Sequence, residues 1–122
     1  MNLSKDQVAA SATPMVLQIL THGEDYGYSI LKRITTASAG QIEWSEGLLY
    51  PLLHRLERQG LIRSRWGQSP TGRRRKYYAI TDDGLRELGV QDRQWELLVQ
   101  TLHRLSVPPS SLPPAPDPRP TI

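Results

Sequence analysis

The chain contains no cysteine, which removes disulfide frameworks, thiolate metal sites and cysteine nucleophiles together. No apolar run approaches the length needed to span a bilayer. The N-terminal stretch MNLSKDQVAASATPMVLQIL has an early acid and an amphipathic pattern, where a secretory signal would carry a basic start and a solid apolar block. A cytoplasmic protein with no membrane partner is expected. His22, His54 and His103 have no spacing that gathers metal ligands on one helix face. There is no Gly-rich phosphate loop, hydrolase elbow or paired catalytic carboxylate; Asp82 and Asp83 are accounted for by capping of the helix they begin. No metal, no cofactor and no enzymatic activity are expected.

Acid is also scarce where base is dense. Of the 15 Lys and Arg residues, Arg55, Arg58, Arg63, Arg65, Arg73, Arg74, Arg75 and Lys76 fall within residues 45–84, and Glu57 is the sole acid between Arg55 and Lys76. A formal net charge of +3 therefore hides a local positive field of the kind that meets phosphate. A solvated basic face is the alternative reading.

At 122 residues with 38% hydrophobic content the chain fits one domain, small enough that pairing with a second copy would help complete its core. Val8, Ala12, Met15, Val16, Ile19 and Leu20 recur at helical spacing and predict a first helix over residues 5–21. Pro14 either kinks that helix or starts its second half with Thr13 as cap. Tyr26, Gly27 and Tyr28 open a second helix reaching Ser38, with Ile30, Leu31 and Ile34 inward. After a short extended piece, Ser45 is a suitable N-cap for a third helix. There Leu49, Leu52, Leu53 and Leu56 fall at i, i+3, i+4 and i+7, leaving Gly47, Tyr50, His54 and Arg55 on other faces, free to meet DNA. Pro51 is tolerated because its ring presses towards Gly47, which adds no side chain. Gly60 ends the helix as a left-handed cap.

Residues 61–66 and 74–80 have strand character, and GQSPTGR between them is turn-forming, so an antiparallel hairpin with a basic tip is expected. Tyr77 and Tyr78 point to opposite faces; Tyr78 is expected buried with Ile80 and Tyr77 exposed. Thr81 caps a last helix on which Leu88, Trp95 and Leu102 lie seven apart, with Leu98 and Leu105 at the complementary positions, a seam that needs a partner. With Val8 and Met15 of the first helix these residues are the expected dimer interface. Beyond Leu105 the proline-rich VPPSSLPPAPDPRPTI predicts a disordered tail. The fold class is mainly α with a small β-wing: a winged helix-turn-helix over residues 1–81, a dimerisation helix over 82–106 and the tail over 107–122.

Tyr26-Gly27-Tyr28, the run from Leu49 through Glu57 (LYPLLHRLE), Gly60-Leu61-Ile62, the run from Gly72 through Tyr78 (GRRRKYY), and Thr81 with Gly84 stand in an order and spacing that resemble the PadR family of transcriptional regulators, in its short branch with a single C-terminal helix. The resemblance spans residues 13–105. It implies a homodimeric repressor of double-stranded operator DNA in which the helix after Ser45 enters the major groove while Arg73, Arg74, Arg75 and Lys76 lie along the backbone or minor groove. In drug-sensing short members a tryptophan of the last helix lines a pore at the dimer centre and stacks on flat aromatic ligands. Trp95 stands at the matching position, and Ala12 and Val99 join it as the implied ligand-facing residues. Packing of Trp95 in the seam is the plainer alternative. From a different functional class, the same dimer would act as a partner-controlled adaptor, docking a protein through the proline tail or the seam with DNA binding secondary.

Overall fold

The structure, a computed structural model, describes the backbone of residues 5–111 and the side chains of residues 10–110. Helix α1 (Lys5–Leu20) is followed by a two-residue strand β1 (Asp25–Tyr26), α2 (Gly27–Ala37), α3 (Glu46–Arg58), the hairpin β2 (Ile62–Gln68) and β3 (Arg74–Ile80), and α4 (Asp82–Leu105), with a 3-10 turn at Pro109–Ser111. Pro14 lies inside one continuous α1. Two compact units divide within α4, one reaching Gln91 and one beginning at Asp92.

The first unit is built around the α3 stripe. Leu49, Leu53 and Leu56 are fully buried and Leu52 nearly so, meeting Val16, Leu17 and Leu20 of α1, Ile30 and Ile34 of α2, and Ile62 and Tyr78 of the hairpin in one core. Ser45 caps α3 as expected, its Oγ accepting from the Leu48 amide at 3.2 Å. Gly60 takes φ +76° just past the helix, the left-handed conformation that a side chain would strain. The expected role of Gly47 is not seen. A Cβ at that position would find only Ser45 Oγ, at 3.7 Å, so Pro51 does not depend on the glycine for room.

Three strands form the sheet in the order β1-β3-β2, all antiparallel. Tyr26, read as the opening of the second helix, instead pairs with Tyr77 in β1, and α2 begins one residue later. Tyr78 is 1% exposed in the core while Ile80 packs at its edge. Tyr77 is half-buried rather than exposed, because the Tyr26 ring meets it edge-on at 5.9 Å between centroids.

The start of α4 is clamped on the loop after α3. The Thr81 amide donates to Leu61 O at 3.0 Å, its Oγ1 donates to Gly60 O at 2.6 Å and accepts from the Gly84 amide at 3.1 Å. A Cβ on Gly84 would stand 2.1 Å from Leu61 O and 2.7 Å from Ile80 Cγ1, and a backbone carbonyl cannot step aside as a side chain can. Leu88, one turn on, is only 6% exposed and belongs to the same core. It was expected in an intermolecular seam and instead packs within its own chain. Ala12 is likewise buried, at 4%, where a ligand-facing residue was expected, because it lies on the inward face of α1 with Val16. Met15 packs against this core half-buried, and the side chain of Val8 lies outside the described residues.

In the second unit Trp95, Leu98, Val99, Leu102 and Leu105 are all exposed. The tail expectation falls mostly on residues 112–122, outside the described residues; within it Pro109–Ser111 form the 3-10 turn. Gly84→Ala is expected to lower stability by about 1–3 kcal/mol through overpacking, read as a lower urea midpoint with unchanged slope; an unchanged midpoint would show that the α4 start gives way freely.

Candidate nucleic-acid interface

With its leucines turned inward, α3 presents Tyr50 and His54 to a groove of about 800 Å³ whose other wall is the hairpin. Arg73, Arg74, Arg75 and Lys76 line that wall with Trp66, and Tyr26, Gly27, Tyr28, Glu46 and Tyr78 complete the lining. Six of the residues read from sequence as DNA contacts thus converge on one concave surface: Tyr50, His54, Arg73, Arg74, Arg75 and Lys76. Ser45, Gly47 and Arg55 are exposed on α3 without lining it, and the Ser45 oxygen is engaged as the helix cap.

Strand alternation sorts the hairpin cations into two sets. Trp66 pairs across from Lys76, so both share a face with Arg74 and Tyr78. The Arg74 guanidinium lies 4.4 Å from the Trp66 ring centroid, and Lys76 Nζ lies 5.9 Å from Trp66 and 5.6 Å from Tyr78. On the opposite face Arg75 stacks on Tyr26 at 3.7 Å and Arg65 on Tyr77 at 5.0 Å. Such contacts are worth about 0.5–1 kcal/mol at exposed sites. Their larger effect is to restrict long side chains that would otherwise sample many rotamers.

The hairpin tip is ordered by Ser69, whose amide donates to Arg73 O at 2.8 Å and whose Oγ accepts from the Arg73 amide at 3.1 Å and pairs with Thr71 Oγ1 at 2.9 Å. Gly72 there has φ +84°. Arg73 therefore leaves a fixed turn.

Two acids are tied up away from the tip. Glu57 approaches Lys76 Nζ at 3.9 Å and accepts from Ser64 Oγ, so Lys76 is half-buried and paired, less available than the three arginines. Glu24 accepts from Arg65 Nε at 2.9 Å and also from Arg65 Nη2. Hydrogen bonding to that guanidinium holds the Glu24 carboxyl below its ordinary pKa and the Arg65 guanidinium above its own. Burial pushes the pKa of the Tyr78 hydroxyl up.

Sequence reasoning missed Trp66, Tyr26, Gly27 and Tyr28 as parts of this surface. Trp66 had a signal, since an aromatic two residues from a strand end with a lysine opposite is a cross-strand stacking pair. Tyr26 and Gly27 had none beyond their place in a motif, because the strand that carries Tyr26 is only two residues long. Among the described residues no group of His, Asp and Glu could hold a metal ion, and no helix is long and apolar enough to cross a membrane.

The model of the transcriptional regulator PadR-like family matches residues 16–90. A solved transcriptional regulator from Clostridium thermocellum is 30% identical with TM-score 0.74, covering 82% of this chain and 97% of that one. A PadR-like transcriptional regulator from Bacillus cereus is 31% identical with TM-score 0.73, covering 83% and 96% respectively. Among curated relatives, an uncharacterised protein of Lysinibacillus sphaericus is 28% identical over 90 residues, 74% of this chain and 83% of its own length. The transcriptional regulator YqjI of Escherichia coli is 28% identical over 88 residues, but only 41% of its length is spanned. The family match covers the end of α1, all of α2 and α3, the hairpin and the start of α4, among them the elements that build the groove, and the chain accordingly belongs to the PadR-like family of transcriptional regulators, with a winged helix-turn-helix fold and no enzymatic role.

Proposed function

We propose that this regulator is a homodimeric repressor that lays α3 in the major groove of operator DNA, with Tyr50 and His54 at base edges and Arg73, Arg74 and Arg75 on the flanking backbone. The observation that carries this reading is the convergence of the outward face of α3 and the arginine tip of the hairpin on one groove. Helix and wing are then placed as a base reader and a phosphate grip, the division of labour that most protein–DNA contacts follow. Two copies would address half-sites about 34–36 Å apart.

Dimerisation is assigned to the second unit. Trp95, Leu98, Leu102 and Leu105 recur at 3–4-residue spacing and are 39%, 49%, 60% and 75% exposed, a stripe of apolar surface that water would otherwise meet. A flat aromatic effector stacking on Trp95 beside Val99 at the dimer centre would release DNA by favouring a spacing of the two wings that misses the half-sites; it must bind the two states unequally. Ala12, buried in the core, is not part of that ligand surface.

Arg74→Ala and Arg75→Ala should each reduce the slope of log affinity against log salt by about one unit, measured by fluorescence anisotropy; an unchanged slope would take the wing off the DNA. Trp66→Leu keeps every charge yet releases Arg74, and should weaken binding about two- to fivefold with the slope intact; equal affinity would mean the stack is not used. Leu98→Asp with Leu102→Asp should yield a monomer by sedimentation equilibrium, with melting of the winged-helix unit preserved; a dimer persisting in that variant would place the interface elsewhere. Quenching of tryptophan fluorescence by flat aromatic compounds should disappear in Trp95→Phe, and quenching that survives would exclude Trp95 as the ligand platform.

A further inference from the structure

Two consecutive residues at the junction of β1 and α2 touch both halves of the proposed reader. Gly27, the first residue of α2, is buried, and a Cβ there would stand 2.6 Å from Tyr50 Oη, 2.9 Å from Cζ and 3.0 Å from Cε1. The phenol ring of α3 thus lies in space that any other residue would claim. Gly27 is not among the glycines with positive φ, so its backbone does not require glycine; the close approach does. One residue earlier, Tyr26 pairs with Tyr77 in the sheet and carries the Arg75 guanidinium 3.7 Å from its ring centroid.

The junction is itself immobilised. Asp25, 9% exposed, accepts from the Tyr26 amide at 2.9 Å, Ser29 Oγ at 3.0 Å and Arg33 Nη1 at 3.2 Å. Tyr26 lacks a side-chain cap for α2, and this carboxylate, one residue before it, ties the strand to the first turn of the helix. A fixed backbone at Tyr26 and Gly27 therefore faces α3 on one side and the wing on the other.

We propose that Tyr26 and Gly27 are positioning residues that set Tyr50 and Arg75 relative to each other, Gly27 acting on base discrimination through Tyr50 and Tyr26 on the backbone grip through Arg75. The proposal rests on the reading of Tyr50 and Arg75 as DNA contacts. A hydrogen bond to a base edge tolerates only a few tenths of an ångström, whereas a methyl at Gly27 would move the phenol by about 1 Å to reach ordinary contact distance.

The test uses the full-length protein, a duplex selected from a random pool by the wild-type chain, and a scrambled duplex of equal length. Gly27→Ala should cut the preference for the selected duplex about tenfold without lowering the melting temperature, since alanine favours a helix. In a Tyr50→Ala background the same change should have no effect, the non-additivity expected when one residue acts through another. Tyr26→Leu keeps every charge yet releases Arg75, and should weaken binding to both duplexes about two- to fivefold with the salt slope intact, and no further in an Arg75→Ala background. Wild-type preference in Gly27→Ala, or the same loss with and without Tyr50, would overturn the Gly27 assignment. Tyr26→Leu affinity equal to wild type, or a loss repeated without Arg75, would overturn the Tyr26 assignment. Should Tyr50→Ala itself keep the full preference, Tyr50 is no reader and the Gly27 assignment falls with that reading, a failure visible in the single variant before any double variant is made.

Discussion

Burial of the four leucines of α3 is the constraint on which the rest of this structure depends. Leu49, Leu52, Leu53 and Leu56 are between 0% and 6% exposed, and each such side chain contributes about 1.5–3 kcal/mol relative to exposure. No single contact on the outer face competes with their sum, so the rotation of α3 about its axis is settled from within. Tyr50, one position after Leu49, and His54, one after Leu53, are then turned outward by helical geometry alone. The face proposed to read DNA is the complement of the packing face.

The hairpin solves a different problem, that of presenting several cations side by side with, among the described residues, no carboxylate in an ion pair with Arg73, Arg74 or Arg75. Aromatic rings take the place of carboxylates. Trp66 holds Arg74 and Tyr26 holds Arg75, contacts that order the guanidinium groups and leave their charge and donors available. Carboxylates serve farther from the tip: Glu57 approaches Lys76 and Glu24 binds Arg65, which fastens the sheet to α3 and to the loop before β1. Positive potential is thereby concentrated at the three arginines nearest the tip, where a phosphate backbone can be gripped with little loss of side-chain freedom on binding.

Much of this was legible in the sequence wherever local periodicity and burial coincide. The α3 stripe, the Ser45 and Thr81 caps, the left-handed Gly60 and the span of β3 are each written in neighbouring residues. Strand β1 is not, because two residues carry no period and their partners Tyr77 and Tyr78 lie far along the chain. Leu88 shows the reverse ambiguity. A leucine seven residues before Trp95 fits a seam between chains and a stripe on a core equally well, and only the clamp of Thr81 and Gly84 on the preceding loop, a long-range contact, decides that it packs inward. Ala12 is similar: a small apolar residue fits a ligand wall or a tight helix contact, and its neighbours in space, not in sequence, choose the latter. The stacks of arginine on aromatic rings were hidden because register across a hairpin determines which residues meet.

The central claim is that α3 and the arginine tip together form the surface that meets DNA. Amide chemical-shift mapping of the labelled protein during titration with a selected duplex tests it most directly. Perturbations should concentrate at Tyr50, His54 and Arg73 through Arg75 and spread to Tyr26, Gly27 and Trp66, with the Trp95 to Leu105 part of α4 far less affected. Perturbations centred on that part of α4, with Tyr50 and the arginine tip unmoved, would contradict it.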